Sequence, residues 1–164
     1  MKTELHGTIR ALLDEYKRAI DELASVIRPL SSRTLLRVVD DKTTDANCRS
    51  VQTILTHVVF AGYTYTVYIE NHIGHKKERP PKAYFETADE YVEALHRMFD
   101  YCKNFFIENP SIQLEESDQS KKITTSWKQQ YDPEQLMEHA VVHVLKHRRQ
   151  IERFVTVPDS AHPD

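Results

Sequence analysis

Glycine is almost missing: Gly7, Gly62 and Gly74 are the three in 164 residues. Hairpins, tight βα turns and phosphate loops rely on repeated positions at φ > 0, which glycine supplies without steric penalty. Three glycines this far apart cannot form G-x-G-x-x-G or a P-loop, so nucleotide folds built on those fingerprints are excluded. Cysteine is scarce too. Cys48 and Cys102 are too few and too widely spaced for a disulfide framework, a C-x-x-C redox motif or a zinc knuckle. Reduced thiols in a cytoplasmic protein are the expectation. Charge of one sign is lacking: 22 Lys+Arg against 25 Asp+Glu leave a net charge of -3, no global field for nucleic acid or an anionic membrane. Long hydrophobic runs are missing as well. The most apolar stretch, Ile54 to Ile73, is interrupted by His57, Glu70, Asn71 and His72, and the start at Met1 lacks the apolar core of a signal peptide.

What is present is helical periodicity. A first segment from about Thr3 to Arg28, closed by Pro29, gathers Leu5, Ile9, Leu12, Leu13, Tyr16, Ile20, Leu23 and Ile27 into one apolar stripe. A second starts at the candidate N-cap Ser50 and stops at Gly74, a candidate left-handed cap. The third opens with the capping box Thr87-Ala-Asp-Glu90 and reaches about Glu108 before Pro110. The fourth opens Asp132-Pro133-Glu134-Gln135, with an N-cap, proline at N1 and glutamine reaching back, and runs to about Phe154. Nothing alternates with period two. The expected fold is all-α, an antiparallel four-helix bundle over residues 1–155 with a flexible tail at 156–164.

Residues 109–131 are too many for an ordinary connection, so one long ordered loop precedes the last helix. Ile123 to Trp127 has enough β-propensity for a short strand, and such a loop could cover one end of the bundle. The Pro80-Pro81 loop reads as a simple helix breaker. Gly62 lies inside helix two, where glycine costs about 1 kcal/mol against alanine. Close helix approach and room for a ligand are both open as its purpose.

Nine histidines are the second compositional oddity. Helix four carries His139, His143 and His147 at i, i+4 and i+8. The outer two are about 12 Å apart along the axis, so all three cannot share an ion. A helical wheel turns His143 and His147 toward the apolar arc and leaves His139 at its rim beside Gln150. Buried imidazoles need partners. They can be core-edge residues bonded to neighbours, or they can hold a metal. His57, in the apolar Ile54–Ala61 stretch of helix two, can be a satisfied core residue or a third ligand. Three neutral imidazoles would leave an open position, as in catalytic rather than structural zinc sites. A di-iron site needs two Glu-x-x-His pairs; the chain offers Glu93-Ala-Leu-His96 alone, pointing away from the Tyr91, Leu95, Met98, Cys102, Phe105 stripe. His72 and His75 flank the end of helix two, and His6 and His162 lie near the termini. Two basic clusters, Lys146 to Arg149 and His75 to Lys82, read as helix-end and loop charge. No nucleic-acid or membrane partner is expected.

A histidine in the apolar middle of helix two, followed by His143-x-x-x-His147-Arg-x-Gln150 near the end of helix four, with Trp127 upstream, resembles the DinB-like superfamily. The glycine usual in that ending is Arg149 here, which the wheel turns outward. The resemblance spans the chain in helix order and implies a four-helix bundle, often a homodimer, with one divalent metal held by His57, His143 and His147. It also implies metal-dependent transferases and isomerases that use a low-molecular-weight thiol, with a small molecule as substrate. An open position on such an ion suits a thiolate, for an S-transferase, or a hydroxide, for a hydrolase. A non-catalytic metal or small-ligand binding protein is the alternative. Imidazoles suit Zn, Ni and Fe alike. Thr64 and Tyr68, two and three turns beyond His57 on the same face, and His139 and Gln150 at the rim, are candidates for the pocket or for positioning the ligands.

Overall fold

The computed structural model describes residue 5 and residues 7–158. His6, His162 and the rest of 159–164 lie outside the described residues. The chain is mostly helical: α1 (Gly7–Ile27), the short α2 (Ser32–Leu36), α3 (Val51–His72), α4 (Ala88–Glu108) and α5 (Pro133–Val155). Two strands of two residues each, β1 (Ile123–Thr124) and β2 (Gln130–Tyr131), pair antiparallel. Among the described residues the first helix runs from Gly7; its expected start at Thr3 lies outside them. Short α2, N-capped by Ser31, had no periodic signal because one helical turn is too brief to show a period.

Local chemistry sets the long helices' ends. Ser50 and Thr53 form a capping box at the start of α3, Thr87 and Glu90 one at α4, and Asp132 and Gln135 one at α5, with Pro133 in the first turn. Each box satisfies amides that the first turn leaves without partners. At the end of α3, Gly74 takes φ +96°. Its amide donates to the Asn71 carbonyl and that of His75 to the Glu70 carbonyl, the Schellman arrangement.

The long helices touch in a ring, α1 against α4, α4 against α3, α3 against α5, and α5 against α1. Ile20, Leu23, Leu55, Leu95, Leu136 and Ile151 meet in the core with no exposed surface. Pairings fix the helix directions. Along α3 and α4, Thr56 meets Tyr91, Gly62 meets Met98, and Glu70 meets Tyr101. The numbers climb together, so α3 and α4 are parallel neighbours. Against α5 they run oppositely: His57 meets His143 and His147, and Tyr65 meets His139. Tyr16 with Met98 and Asp21 with His96 make α1 and α4 antiparallel. The arrangement is therefore up-down-down-up, and the uniformly antiparallel order expected from the sequence is corrected at the α3–α4 and α1–α5 pairs.

That topology requires residues 73–87 to return the length of α3. They do so as an extended strap, and the expected simple helix breaker at Pro80-Pro81 lies within it. The Asn71 side chain brackets the amide and carbonyl of Lys77, Arg79 Nη1 donates to Thr64 Oγ1 at 3.2 Å, and Gln52 Nε2 donates to the Phe85 carbonyl at 2.9 Å. Gly62 serves the close approach of α4. A Cβ there would stand 2.2 Å from Met98 Sδ, in the core and not at a ligand.

Residues 109–131 end in the β1–β2 hairpin. Its tip packs on α3, where the Ser126 amide donates to the Tyr68 hydroxyl at 2.8 Å and Lys128 sits at φ 62°. At the other end, Arg37 Nη2 donates to the Val157 carbonyl at 2.9 Å, holding the start of the segment expected to be a loose tail.

Candidate metal centre

Antiparallel packing of α3 on α5 brings one imidazole against two. His57 stands in the second turn of α3, and His143 and His147 are one turn apart on α5. Their ring centroids are 4.9 Å (His57–His143), 5.2 Å (His57–His147) and 4.5 Å (His143–His147) apart, at 63–79° to one another. The Nε2 atoms of His57 and His143 lie 3.0 Å apart. One nitrogen from each ring lies within 4.8 Å of the others, a cluster able to hold a metal ion. An ion bound tetrahedrally at 2.0–2.1 Å sets its nitrogens about 3.4 Å apart, and these separations bracket that value.

Protonation favours the same use. Burial, with His147 close by, pushes the His57 imidazole down to about 4. Burial and the neighbouring imidazoles push His143 down to about 2. Burial also lowers His147, against the opposing effect of its hydrogen bond to Gln150. All three are neutral at neutral pH, the donor form of imidazole. His147 Nδ1 donates to Gln150 Oε1 at 2.9 Å, which fixes the tautomer and turns Nε2 toward the other two rings.

The triad opens into a cavity of about 530 Å³. Its aromatic wall is Phe60, Tyr65 and Trp127, with His139 stacked between Trp127 (5.7 Å, 21°) and His143 (6.3 Å, 24°). His139 Nδ1 lies 3.3 Å from the Tyr131 hydroxyl, and the ring stays outside the triad, as the wheel predicts. Thr64 lines the cavity. Tyr68 does not: it stands behind Trp127 and holds the hairpin by its hydroxyl. Gln150 acts from behind His147 rather than from the cavity wall. His96, of the Glu93-x-x-His96 pair, meets Asp21 across to α1.

Several cavity residues carried no motif in the sequence. Asp45 and Cys48 come from the turn before α3; the thiol donates to Asp45 Oδ2 at 3.4 Å and reaches Gln150 Oε1 at 3.8 Å. The Asn47 backbone amide holds the Asp45 carboxyl below its ordinary range, while burial pushes the Cys48 thiol up. Arg79 and Lys82 come from the strap and Lys146 from α5. The one available signal was the fifteen-residue connection between α3 and α4, too long for antiparallel neighbours.

No protein-family model matches this chain, and no curated protein matches it. Among the described residues, no helix is long and apolar enough to cross a membrane.

Proposed function

We propose that this is a metal-dependent enzyme of the DinB-like kind, a four-helix bundle holding one divalent ion through His57, His143 and His147. The observation that carries the reading is the convergence of three neutral imidazoles at the floor of an open cavity. Structural zinc sites are closed by four protein ligands, whereas three ligands facing a cavity leave a position for a substrate atom. When bound, the ion would supply Lewis acidity at that position, suited to a low-molecular-weight thiol in an S-transfer reaction.

The chain's own residues supply the rest. Gln150 orients His147, while the half-buried His57 and His143 rings stand on α3 and α5. Trp127, carried on the hairpin and backed by Tyr68, closes one side of the cavity with His139 and Tyr65, so that a substrate lies against aromatic faces with less water around it. The Tyr65 hydroxyl keeps its proton, because burial raises it well above the ordinary tyrosine range.

The test is metal content. Purified full-length protein should bind close to one equivalent of Zn²⁺ or Ni²⁺ per chain in equilibrium dialysis, and His147→Ala should abolish it. Full occupancy in that variant would remove the assignment. A panel of thiols and electrophiles with the loaded protein then separates a transferase from a binding protein, which would show no turnover.

A further inference from the structure

The strap carries positive charge into the cavity that the imidazoles do not explain. The Arg79 guanidinium lies over the Phe60 ring, 4.3 Å from its centroid, and Lys82 Nζ stands 5.4 Å from the same centroid. Arg79 is positioned by the buried Thr64 hydroxyl at 3.2 Å, and Lys82 donates to Asn47 Oδ1 at 2.6 Å. Lys146 lines the cavity from α5. The only carboxylate among the residues lining it is Asp45, which already accepts from the Asn47 amides and the Cys48 thiol. Among the described residues neither Arg79 nor Lys82 pairs with an acid.

Three cations against one engaged carboxylate, beside aromatic walls, is an anion's environment. A guanidinium laid over a ring keeps its donors in its own plane, and those beyond the one given to Thr64 suit a carboxylate or phosphate. Arg79 and Lys82 are exposed, but the strap that carries them is pinned on both sides, at Asn71 and at Gln52, which places them at the cavity mouth. Phe60 and Thr64 lie three and seven residues beyond His57, about 4.5 Å and 10.5 Å along the helix axis. A group bound at Arg79 therefore sits one to two helical turns from the imidazoles.

We infer that the cavity takes a small organic acid, its carboxylate or phosphate held by Arg79 and Lys82 and its body lying over Phe60 toward the triad. The direction of the far end rests on reading the triad as a metal centre; the anion subsite does not. Trp127 is the single tryptophan of the chain and lines the same cavity, so its fluorescence reports occupancy without any need for turnover.

The experiment titrates chelator-treated full-length protein with 4-phenylbutyrate, phenyl phosphate and the neutral 4-phenylbutanamide. At least one acid should bind about tenfold more tightly than the amide, with affinity falling as salt is added. Arg79→Gln should weaken that acid by about tenfold and leave the amide unchanged, and Arg79→Lys should restore part of the loss. The acid that binds identifies the head group. Two results overturn the inference: both acids bind no better than the amide or not at all, or affinity is unchanged in Arg79→Gln and Lys82→Gln variants that melt like the parent. Zn²⁺ dialysis on the same preparations keeps the two readings apart. Lost metal binding with retained acid binding removes the metal centre alone, and the reverse result removes the anion subsite alone.

Discussion

Acid should loosen the metal-free fold well before its carboxylates titrate. In the folded chain the His57 imidazole is pushed down to about 4 and His143 to about 2, burial being the main cause of each. In the unfolded chain both titrate near 6.5. Folded values below unfolded ones mean that the unfolded chain binds more protons in between. Stability is therefore intact above about pH 6.5 and falls as pH drops toward 4. Each withheld proton costs at most about 1.4 kcal/mol per pH unit, hence about 2.8 for the two. Both rings keep part of their surface in water, which reduces the slope to roughly 1–2 kcal/mol per unit. Between about pH 6.5 and 5 the loss is about 2–3 kcal/mol, a large share of the roughly 5–15 kcal/mol that holds a domain together. Asp21, Asp45 and Asp118 are held below their ordinary range by hydrogen bonds and neighbouring charge, so they enter only at lower pH. Urea unfolding followed by circular dichroism at about pH 7, 6 and 5, with a chelator present, measures the slope. In His57→Gln/His143→Gln the slope should fall markedly, leaving the share of His147 and His139, which burial also lowers. An equal slope in parent and double variant would refute the reasoning, because the protons would then be binding elsewhere.

Two further perturbations probe the support of the site and of the core. Gln150→Ala removes the acceptor that fixes the His147 tautomer, and Zn²⁺ affinity should fall about 10- to 100-fold in chelator competition while the melting temperature of the metal-free protein barely moves; unchanged affinity would count against that role. Gly62→Ala gains about 1 kcal/mol of helix propensity but drives a methyl against Met98, where overpacking costs about 1–3 kcal/mol. A net loss near 1 kcal/mol in urea unfolding is expected, and it should disappear when Met98→Ala is combined with it in a double-mutant cycle; a stabilised single variant would show that α4 has room to move.

Much of the fold was legible because helix ends and helix faces are local properties. The three capping boxes at Ser50, Thr87 and Asp132 and the left-handed Gly74 involve residues a few positions apart, so their sequence spacing already contains the geometry. The same locality made the choice among His139, His143 and His147 possible. The wheel sees which side chains share a face, and it separated the inward pair from the ring that stacks on Trp127. Tyr68 was harder. It shares the His57 face in angle, but eleven residues of rise carry it past the cavity to the hairpin, a displacement that a wheel collapses to zero.

Helix direction was illegible for a related reason: a parallel and an antiparallel neighbour bury the same stripe. Only the connection distinguishes them. Fifteen extended residues reach about 50 Å, while the 22 residues of α3 rise about 33 Å, so residues 73–87 are long enough to travel back along the helix they leave. Antiparallel neighbours need about 2–8 residues, and the excess is the mark of a crossover. Once the strap lies along α3, its side chains acquire neighbours that sequence proximity never suggests. Arg79 and Lys82, which look like solvated loop charge beside Pro80-Pro81, come to rest on Phe60. The cavity's charge thus follows from a topological choice and not from any motif, which is why the histidines could be picked out residue by residue while the cations facing them could not.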